Sequence, residues 1–414
     1  MDSQHDPEVP LRPLTGFQQG MIALASVAMG AGMTINFVVV APLARQAGLT
    51  PIQVAGILTL STTIYALMIP AWGRLANRFG RKRVMVFSLF AMGLTNMAFL
   101  FALSAALAGA IAGMTMFFTL VFVRIWFGLL SPGLQPASMA AMTDATTAKT
   151  RAGGLGMLGA GMSIGSIIGP AGAAVLAPFG ALAPLWGSIV FCWVCGTLIG
   201  LTLPERRDTL RTSKRPSPLA VRDPRVFPHL LFLFTYFVAV GMIQQTLGWF
   251  IEDRYKDTLN LTPEAVVLYT GISFACLAVM MVVIQFGYIV PRKPDPRKML
   301  PVGLALVSVG YIAANLVHPF WGMCVAFLVI GCGAALTVPA ANALGSLSVS
   351  RHEQASAAAL LAAAPPSGFI FGPLIGASLY SLATPLPFYV AATVMAVLAI
   401  YAFTVTSRRE IGSG

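Results

Sequence analysis

GRLANRFGRKR, residues 73–83, holds five cations in eleven positions and lies between two apolar stretches, each long enough to cross a lipid bilayer. A basic segment this short has no room to fold as a domain or to act as a separate nucleic-acid arm. Lys and Arg concentrate in the short cytoplasmic loops of membrane proteins. We therefore expect residues 73–83 to form a tight cytoplasmic turn between two membrane-spanning helices.

The composition of the chain is that of a membrane protein. Of its 414 residues, 57% are hydrophobic and 10% are charged, whereas a soluble domain has about 25% charged residues. A helix needs about 20 apolar residues to cross the hydrocarbon core, and a backbone in lipid must satisfy its own hydrogen bonds. The predicted fold class is therefore an all-α membrane protein with twelve transmembrane helices, near 17–41, 52–72, 84–104, 111–143, 153–177, 184–203, 229–251, 266–290, 299–317, 320–344, 356–382 and 387–406.

The placement of charge predicts the orientation of the chain. With these spans, 22 of the 26 Lys and Arg residues fall on one side of the membrane, three on the other and one within a span. The side that carries most of the cations is the cytoplasmic side. Both termini are therefore expected in the cytoplasm, which agrees with an even number of spans. The same distribution argues against nucleic-acid binding, although the net charge is +12.

The chain divides at a basic polar segment in its middle. We predict an N-terminal six-helix bundle over 1–203, a cytoplasmic basic linker over 204–228 and a C-terminal six-helix bundle over 229–414. An offset of 203 residues aligns 128–170 with 331–373 and gives 11 identities in 43 positions. They include the pairs Gly128/Gly331, Pro136/Pro339, Gly165/Gly368 and Gly169-Pro170/Gly372-Pro373. Two such halves are typical of secondary transporters, whose substrate site lies between the repeats at mid-membrane.

Three motifs occur in the first half. They are the loop 73–84, Leu120-x-x-x-Arg124-x-x-x-Gly128 in the fourth span, and Gly161-x-x-x-Gly165-x-x-x-Gly169-Pro170-x-Gly172 in the fifth span. Together they resemble the motifs of the major facilitator superfamily, in particular those of its twelve-span drug:proton antiporters. The resemblance covers the whole chain in span count, order and loop charge. It implies a multi-pass transporter of the bacterial inner membrane.

The chain departs from the family pattern at three places. Asn77 stands where the family loop carries Asp, which predicts a weaker version of the family's charged network. The fifth-span motif ends Gly172-Ala173 in place of the usual Gly-Gly pair. The loop 291–298 keeps its charge but has lost the glycine pattern.

The loop motif is a candidate gate. Gly73 and Gly80 allow close backbone approach and left-handed turn geometry. Arg78 and Arg81 can reach a carboxylate, and sequence order brings Asp144, at the cytoplasmic end of the fourth span, nearest to them. Such a pair would hold the cytoplasmic side shut while the transporter faces outward. The alternative is that these charges only set the topology.

The glycine motif of the fifth span predicts close helix packing. Small residues every four positions let another helix approach, and a proline removes a backbone donor and bends its helix. We expect this packing to seal each half and support its rocking. The predicted packing residues are Gly161, Gly165, Gly169 and Pro170, with Gly372 and Pro373 at the equivalent positions of the eleventh span.

Arg124 is the single basic residue placed within a span. A charge at the centre of a membrane helix costs roughly 2.5–3.5 kcal/mol on insertion scales and usually faces the bundle interior with a partner. Three interpretations remain open. Arg124 bonds backbone carbonyls and polar side chains, meets an anionic group of the substrate, or reaches Glu252 or Asp253.

By the resemblance, spans 1, 4, 7 and 10 line the substrate cavity, and Tyr65 of span 2 joins them. A mostly apolar cavity with few amides, one cation and several aromatic rings suits an amphipathic organic molecule better than a sugar. For each aromatic residue, the alternative is plain packing or contact with lipid. The candidate substrate-binding residues are Arg124, Asn36, Tyr65, Trp126, Gln135, Tyr236, Gln244, Gln245, Trp249 and Asn342.

The expected function is export of small amphipathic molecules, drug-like compounds or a natural product such as a siderophore, by alternating access. The alternative is an uptake carrier or exchanger for an organic anion centred on Arg124. The family resemblance implies proton antiport, and Glu252 and Asp253 at the outer end of span 7 are the best available proton carriers. Their alternative role is a solvated helix end beside Arg254.

Other classes of function find little support. The four histidines are scattered, so an enzyme is not expected, and neither a cofactor nor a metal site is predicted. Cys192 and Cys195 have a CxxC spacing, but they lie in an apolar helix without further ligands nearby, which favours core packing. The expected partners are a small-molecule substrate, protons and the lipid bilayer. Nucleic acid is not expected, and the protein is predicted to be a monomer.

Overall fold

The computed structural model describes residues 14–147, 150–204, 220–259, 261–350 and 353–411. Within these ranges the protein is built from α-helices, with one 3-10 turn at Ala177–Phe179, one π segment at Gln285–Ile289 and no strand. The α-helices in chain order are α1 (Gly16–Gln46), α2 (Pro51–Phe79), α3 (Arg81–Leu107), α4 (Gly113–Leu130), α5 (Leu134–Ala145), α6 (Arg151–Leu176), α7 (Ala183–Thr202), α8 (Phe227–Leu259), α9 (Pro263–Ile284), α10 (Val290–Arg292), α11 (Pro296–Leu316), α12 (Phe320–Leu347), α13 (Gln354–Leu361), α14 (Ala364–Leu382) and α15 (Leu386–Ile411).

The turn predicted at 73–83 is present but much shorter than expected, because the segment is helical on both sides of Gly80. α2 continues to Phe79 and α3 begins at Arg81, which leaves Gly80 alone as the connection. Gly80 has a φ of 96°, a left-handed conformation that a side chain disfavours. Gly73 lies inside α2, where a Cβ would be in ordinary contact with its nearest neighbour, 3.8 Å away. A left-handed turn role therefore holds for Gly80 and not for Gly73.

Eleven helical segments of the described chain are long and apolar enough to cross a membrane. They correspond to the first ten predicted spans and the twelfth. The eleventh predicted span, 356–382, consists of α13 and α14, which are separated at residues 362–363. Pro365 and Pro366 at the beginning of α14 lack backbone donors, so a continuous helix through this point would lose hydrogen bonds. With this broken helix, the fold is the predicted all-α membrane architecture of twelve spans.

The fourth predicted span, 111–143, is also interrupted. α4 ends at Leu130 and α5 begins at Leu134, after the sequence Ser-Pro-Gly. The last carbonyl groups of a helix have no partner within the helix. Here the indole Nε1 of Trp72 on α2 donates a hydrogen bond to the Leu129 carbonyl oxygen at 2.7 Å. α2 therefore stabilises the end of α4, which precedes the break.

The chain forms two compact units, which are described separately. One comprises 1–49, 60–211 and 263–268, and the other comprises 50–59, 212–262 and 269–414. In the first unit α1 packs on α6 and α7, and α3 packs on α4, α5 and α7. In the second unit α8 packs on α14 and α15, and α11 packs on α12 and α15. The predicted boundaries at 203 and 228 stay predictions, since residues 205–219 of the linker lie outside the described part of the chain.

In the first unit, α6 packs on α1 along the glycines of its motif. A Cβ placed on Gly161 would lie 2.6 Å from the Ala23 carbonyl oxygen, closer than side chains tolerate. One turn later, a Cβ on Gly165 would overlap with the Val27 carbonyl oxygen, and Gly169 continues the same pattern. The spacing of four residues on both helices keeps the two backbones in contact over three turns.

The second unit repeats this arrangement between α14 and α8. A Cβ on Gly368 would lie 2.6 Å from the Cβ of Phe237, and a Cβ on Gly372 would lie 2.6 Å from the Val238 carbonyl oxygen. The corresponding helices of the two sequence repeats therefore pack on corresponding partners. The proline of each motif lies buried within its helix: Pro170 in α6 and Pro373 in α14.

Candidate functional site

The centre of the first unit contains a buried guanidinium. α4 carries Arg124, which is 3% exposed, and α1 carries Asn36, which is 7% exposed. Arg124 Nη2 donates a hydrogen bond to Asn36 Oδ1 at 2.5 Å, and Asn36 Nδ2 donates to the Gly32 carbonyl oxygen at 2.5 Å. The backbone bond orients the Asn36 amide so that its oxygen faces the cation.

Aromatic rings cover the same guanidinium. The Arg124 Cζ atom lies 3.9 Å from the centre of the Phe99 ring and 5.5 Å from that of Phe127. Cations are attracted to the faces of aromatic rings within about 6 Å. Tyr65 of α2 stacks on Phe127 with the ring centres 6.1 Å apart, and its hydroxyl contacts the Met29 sulfur at 3.8 Å. We define the Arg124 cluster as Arg124, Asn36, Phe99, Phe127 and Tyr65.

Of the three interpretations of Arg124, the structure shows the bond to a polar side chain, through Asn36. The Arg124 Nε atom is buried and has no hydrogen-bond partner in the described part of the protein. The Nε–H is therefore available for a substrate group, and the second interpretation stays a prediction. In the second unit, Asp253 accepts a hydrogen bond from Tyr380.

Two candidates of the first unit lie apart from the Arg124 cluster. Trp126 is 44% exposed and contacts Phe122, which is 60% exposed, edge to face at 6.2 Å. Because residues on a helix turn by about 100° each, Trp126 points away from the side of α4 that carries Arg124. This position favours the packing or lipid-facing alternative for Trp126. Gln135 is half-buried in the first turn of α5.

The second unit buries three of the candidate residues on α8. Tyr236 is 3% exposed, and Gln245 and Trp249 are fully buried. The Gln245 Oε1 and Nε2 atoms have no hydrogen-bond partner in the described part of the protein. Buried amides usually find partners, so an orphaned amide marks a site where a ligand group can bind. Gln245 is thus the inward-facing member of the Gln244-Gln245 pair, while Gln244 is half-buried.

Asn342 of α12 is exposed and bonds back to its own helix. Its Nδ2 donates to the Val338 carbonyl oxygen at 3.1 Å. This bond uses one of its two amide hydrogens. The Asn342 side chain is exposed, unlike the buried candidates on α8. A substrate contact by Asn342 stays a prediction.

Of the predicted gate residues, Arg81 and Asp144 are in contact. Arg81 at the beginning of α3 forms an ion pair with Asp144 near the end of α5, and their side chains are 22% and 16% exposed. Arg78 instead places its Cζ atom 5.5 Å from the centre of the neighbouring Phe79 ring. Asn77 is exposed on α2. The structure shows the Arg81–Asp144 pair, and its gating role stays a prediction.

The acidic residues at the end of α8 have a different setting. The Tyr380 hydroxyl of α14 donates a hydrogen bond to Asp253 Oδ2 at 2.5 Å, and the Tyr380 ring lies 5.6 Å from that of Trp249. Glu252 is half-buried. Arg254 Nη2 donates to the Val317 carbonyl oxygen at 3.0 Å. Asp253 is therefore linked to α14, which a solvated helix end would not require.

A charged cluster at the beginning of α8 was missed by the sequence analysis. Arg225 donates to both oxygens of Glu353 at 2.9 Å, and to Asp223 Oδ1 at 3.1 Å and Oδ2 at 2.9 Å. Ser350 donates to Glu353 through its backbone N–H at 3.2 Å and its hydroxyl at 2.7 Å. The Ser-x-x-Glu spacing of a helix-capping box was the available signal. We call Asp223, Arg225, Ser350 and Glu353 the Arg225 clamp.

The clamp changes the acidity of its members. Hydrogen bonds from Arg225 and then Ser350 lower the pKa of Glu353 to about 2. Arg225 also lowers the pKa of Asp223, and the two carboxylates together raise the pKa of Arg225. Each shift has the same cause, because a hydrogen bond to a charged group stabilises the charged form.

The fold defines the class of the protein as a multi-pass, all-α membrane protein. The profile of the Major Facilitator Superfamily matches residues 21–296 and 293–413. The chain belongs to this superfamily, whose members are transporters and not enzymes.

Comparison with known proteins agrees with this assignment. Multidrug resistance protein 2 of Bacillus subtilis (strain 168) is 25% identical over 340 residues, which cover 79% of this chain and 80% of that protein. Tetracycline resistance protein, class H, of Pasteurella multocida is 25% identical over 346 residues, which cover 78% of each chain. Among solved structures, an inward-facing bacterial homolog of the human lysosomal transporter Spinster has a TM-score of 0.71 at 16% identity and covers 94% of this chain and 96% of its own.

Proposed function

We propose that this protein exports small amphipathic organic molecules by alternating access, in a bacterial inner membrane, as a monomer with both termini in the cytoplasm. The observation that carries the proposal is a buried guanidinium that is bonded to one amide and flanked by aromatic rings. The Arg124 cluster of the first unit has one cation and one amide among three rings. On α8 of the second unit, Gln245 lies buried between Tyr236 and Trp249 along the helix. The names of the relatives, which refer to multidrug and tetracycline resistance, support export of drug-like molecules.

Proton coupling is the second part of the proposal. Asp253 accepts a hydrogen bond from Tyr380, so protonation of its carboxylate would change the contact between α8 and α14. These helices are packed through glycines, and a change at one end would be passed along both. Glu252 is the neighbouring carboxylate that can share this role.

Transport by purified protein in proteoliposomes tests both parts. Movement of ethidium, tetracycline and 1-naphthoate would be measured with an imposed pH gradient, and again after nigericin has collapsed that gradient. We expect substrate to move in the direction opposite to the flow of protons. The double variant Glu252→Gln/Asp253→Asn should lose the dependence of transport on the pH gradient. Transport that ignores the gradient in the unmodified protein would contradict proton coupling. Movement only in the direction of uptake would favour the alternative, a carrier or exchanger for an organic anion.

The Arg81–Asp144 pair is our candidate for the gate latch. Within the first unit it joins the beginning of α3 to the end of α5, next to the Gly80 connection. Asp144→Asn should bias the transporter towards inward-facing states, because it removes the ion pair and keeps the shape of the side chain. Labelling of single cysteines at the expected cytoplasmic ends of the second and eleventh spans, which lie at the end of α2 and the beginning of α13, would reveal the bias. Unchanged labelling would leave Asp144 as a residue that sets topology only.

A further inference from the structure

Arg124 forms no ion pair with an acidic side chain in the described part of the chain. Between residues 14 and 204 the sequence contains a single acid, Asp144. That acid is already paired with Arg81. Among the buried residues of the described chain, Arg124 is the one that carries a charge. The centre of the first unit is therefore electropositive and desolvated.

The bond to Asn36 satisfies a donor but does not neutralise the charge. An amide oxygen is a neutral acceptor, and it takes one of the five N–H groups of the guanidinium. The Nε–H stays buried without a partner in the described structure. A buried donor without an acceptor is costly, and more so when it is charged.

The rings of Phe99 and Phe127 restrict where a new hydrogen-bond acceptor can approach Arg124. Phe99 lies 3.9 Å from Arg124 Cζ, and the N–H groups of a guanidinium point outward in its plane, so a new acceptor has to approach its edge. Planar oxyanions such as carboxylates match this edge, because two parallel N–H groups can bind two oxygens. The neighbouring rings of Phe127 and Tyr65 suit an aromatic body attached to that oxyanion.

We propose that the transported molecules are aromatic acids, whose carboxylate or sulfonate is bound by the free edge of Arg124 beside Asn36. This inference rests on the proposed export function and specifies its substrate class. The acid supplies the counter-charge that Arg124 lacks, while the rings contact the apolar part. Lipophilic cations are disfavoured at this site by the same charge.

The variant Asn36→Asp gives a sharp test. It places a carboxylate at the shortest contact of Arg124 with little change in shape, so the protein supplies its own counter-charge. The ion pair should keep the protein folded, which a thermal unfolding curve checks. Gln46→Glu is the matched control, because it adds the same charge to α1 at its exposed last residue.

Binding would be measured on the purified full chain with three radiolabelled probes of one shape: 1-naphthoate, 1-naphthamide and 1-naphthylmethylammonium. We expect the unmodified protein and Gln46→Glu to bind the acid about ten-fold more tightly than the amide, as a charged hydrogen bond implies. Asn36→Asp should lose this preference, because the new carboxylate and Arg124 together have no net charge. Equal binding of acid and amide by the unmodified protein, or an unchanged preference in Asn36→Asp, would overturn the inference. The latter result would assign the free Nε–H to a buried water.

Vesicle transport of the same three probes separates this inference from the proposed function. If the protein binds the acid preferentially but transports none of the probes, the export function is contradicted and the substrate class is retained. If the protein transports the amide or the ammonium as well as the acid, the proposed substrate class is contradicted and the export function is retained.

Discussion

Arg124 shows how a single residue can set the chemistry of a membrane site. A charge in the middle of a membrane helix is tolerated when hydrogen bonds and ring faces replace water. Asn36 supplies the hydrogen bond at 2.5 Å, and Phe99 supplies the ring face at 3.9 Å. The Asn36 amide is neutral, so this hydrogen bond does not offset the charge of Arg124.

The geometry predicts that lysine cannot replace Arg124. An ammonium is a point charge without the planar fork, so Arg124→Lys would lose either the Asn36 bond or the free edge. We expect at least about a ten-fold loss of transport, because one charged hydrogen bond is worth that much. Transport in proteoliposomes measures this loss, and size-exclusion chromatography checks that the variant is folded. Transport near the level of the unmodified protein would make Arg124 a structural cation only.

At the scale of elements, the contact of α1 with α6 depends on the absence of side chains. Gly165 is the tightest point, since its Cβ would overlap with the Val27 carbonyl oxygen. The same motif in α14 meets α8 in the second unit. Pairs of helices that touch through their backbones can slide or rock as units, because no long side chains interlock them.

Gly165→Ala should therefore destabilise the protein by about 1–3 kcal/mol, the usual cost of overpacking a tight contact. Gly156→Ala on the same helix is the control. Nothing lies within 4 Å of its added Cβ, so the change should be neutral or stabilising. Thermal unfolding of both purified variants measures the difference. Equal midpoints would show that α6 can shift away from α1 without cost.

The Arg225 clamp joins the beginning of α8 to the beginning of α13 at the scale of elements. Its response to acid follows from the sign of the pKa shift. The Glu353 pKa is lowered from 4.5 to about 2, so the folded protein binds a proton here less readily than the unfolded chain. The stabilisation is present above pH 4.5 and is lost as the pH falls towards 2.

Glu353→Gln should lower the unfolding midpoint at pH 7 and flatten its decline between pH 4.5 and the lowest pH at which the protein stays soluble. Glu264→Gln, which removes a carboxylate outside the clamp, is the control for the change in net charge. Thermal unfolding of the full chain across this pH series measures both. A decline in Glu353→Gln as steep as in the unmodified protein would show that the clamp does not contribute to stability.

At the scale of the whole molecule, the charge distribution predicts the orientation. With 22 of 26 cations on one side, residues 204–228 should be cytoplasmic. Added protease should leave this segment intact in sealed cells and cleave it in inverted membranes. An epitope at the C-terminus should report the same side. Cleavage of 204–228 in sealed cells would reverse the orientation and place the Arg81–Asp144 pair on the outer face.

The sequence alone determined the properties that follow from hydrophobicity and composition. Apolar runs need no tertiary information to be recognised as membrane spans, so the all-α class and the twelve spans were predicted correctly. The glycine positions of α6 and α14 were also visible, because close packing every four residues requires small side chains at regular intervals. The family followed from motifs that are local in sequence.

Tertiary structure decided which of the candidate side chains meet. Sequence order could not show that Arg124 pairs with Asn36, 88 residues away, or that Phe99 from a third helix covers it. Trp126 is an aromatic residue two positions after Arg124, which made it a candidate. Two positions along a helix turn its side chain away from Arg124, and it is exposed. The clamp between Arg225 and Glu353 joins positions 128 residues apart. Contacts between distant segments depend on how helices rotate and pack against each other, and that information lies in the fold and not in any local stretch of the chain.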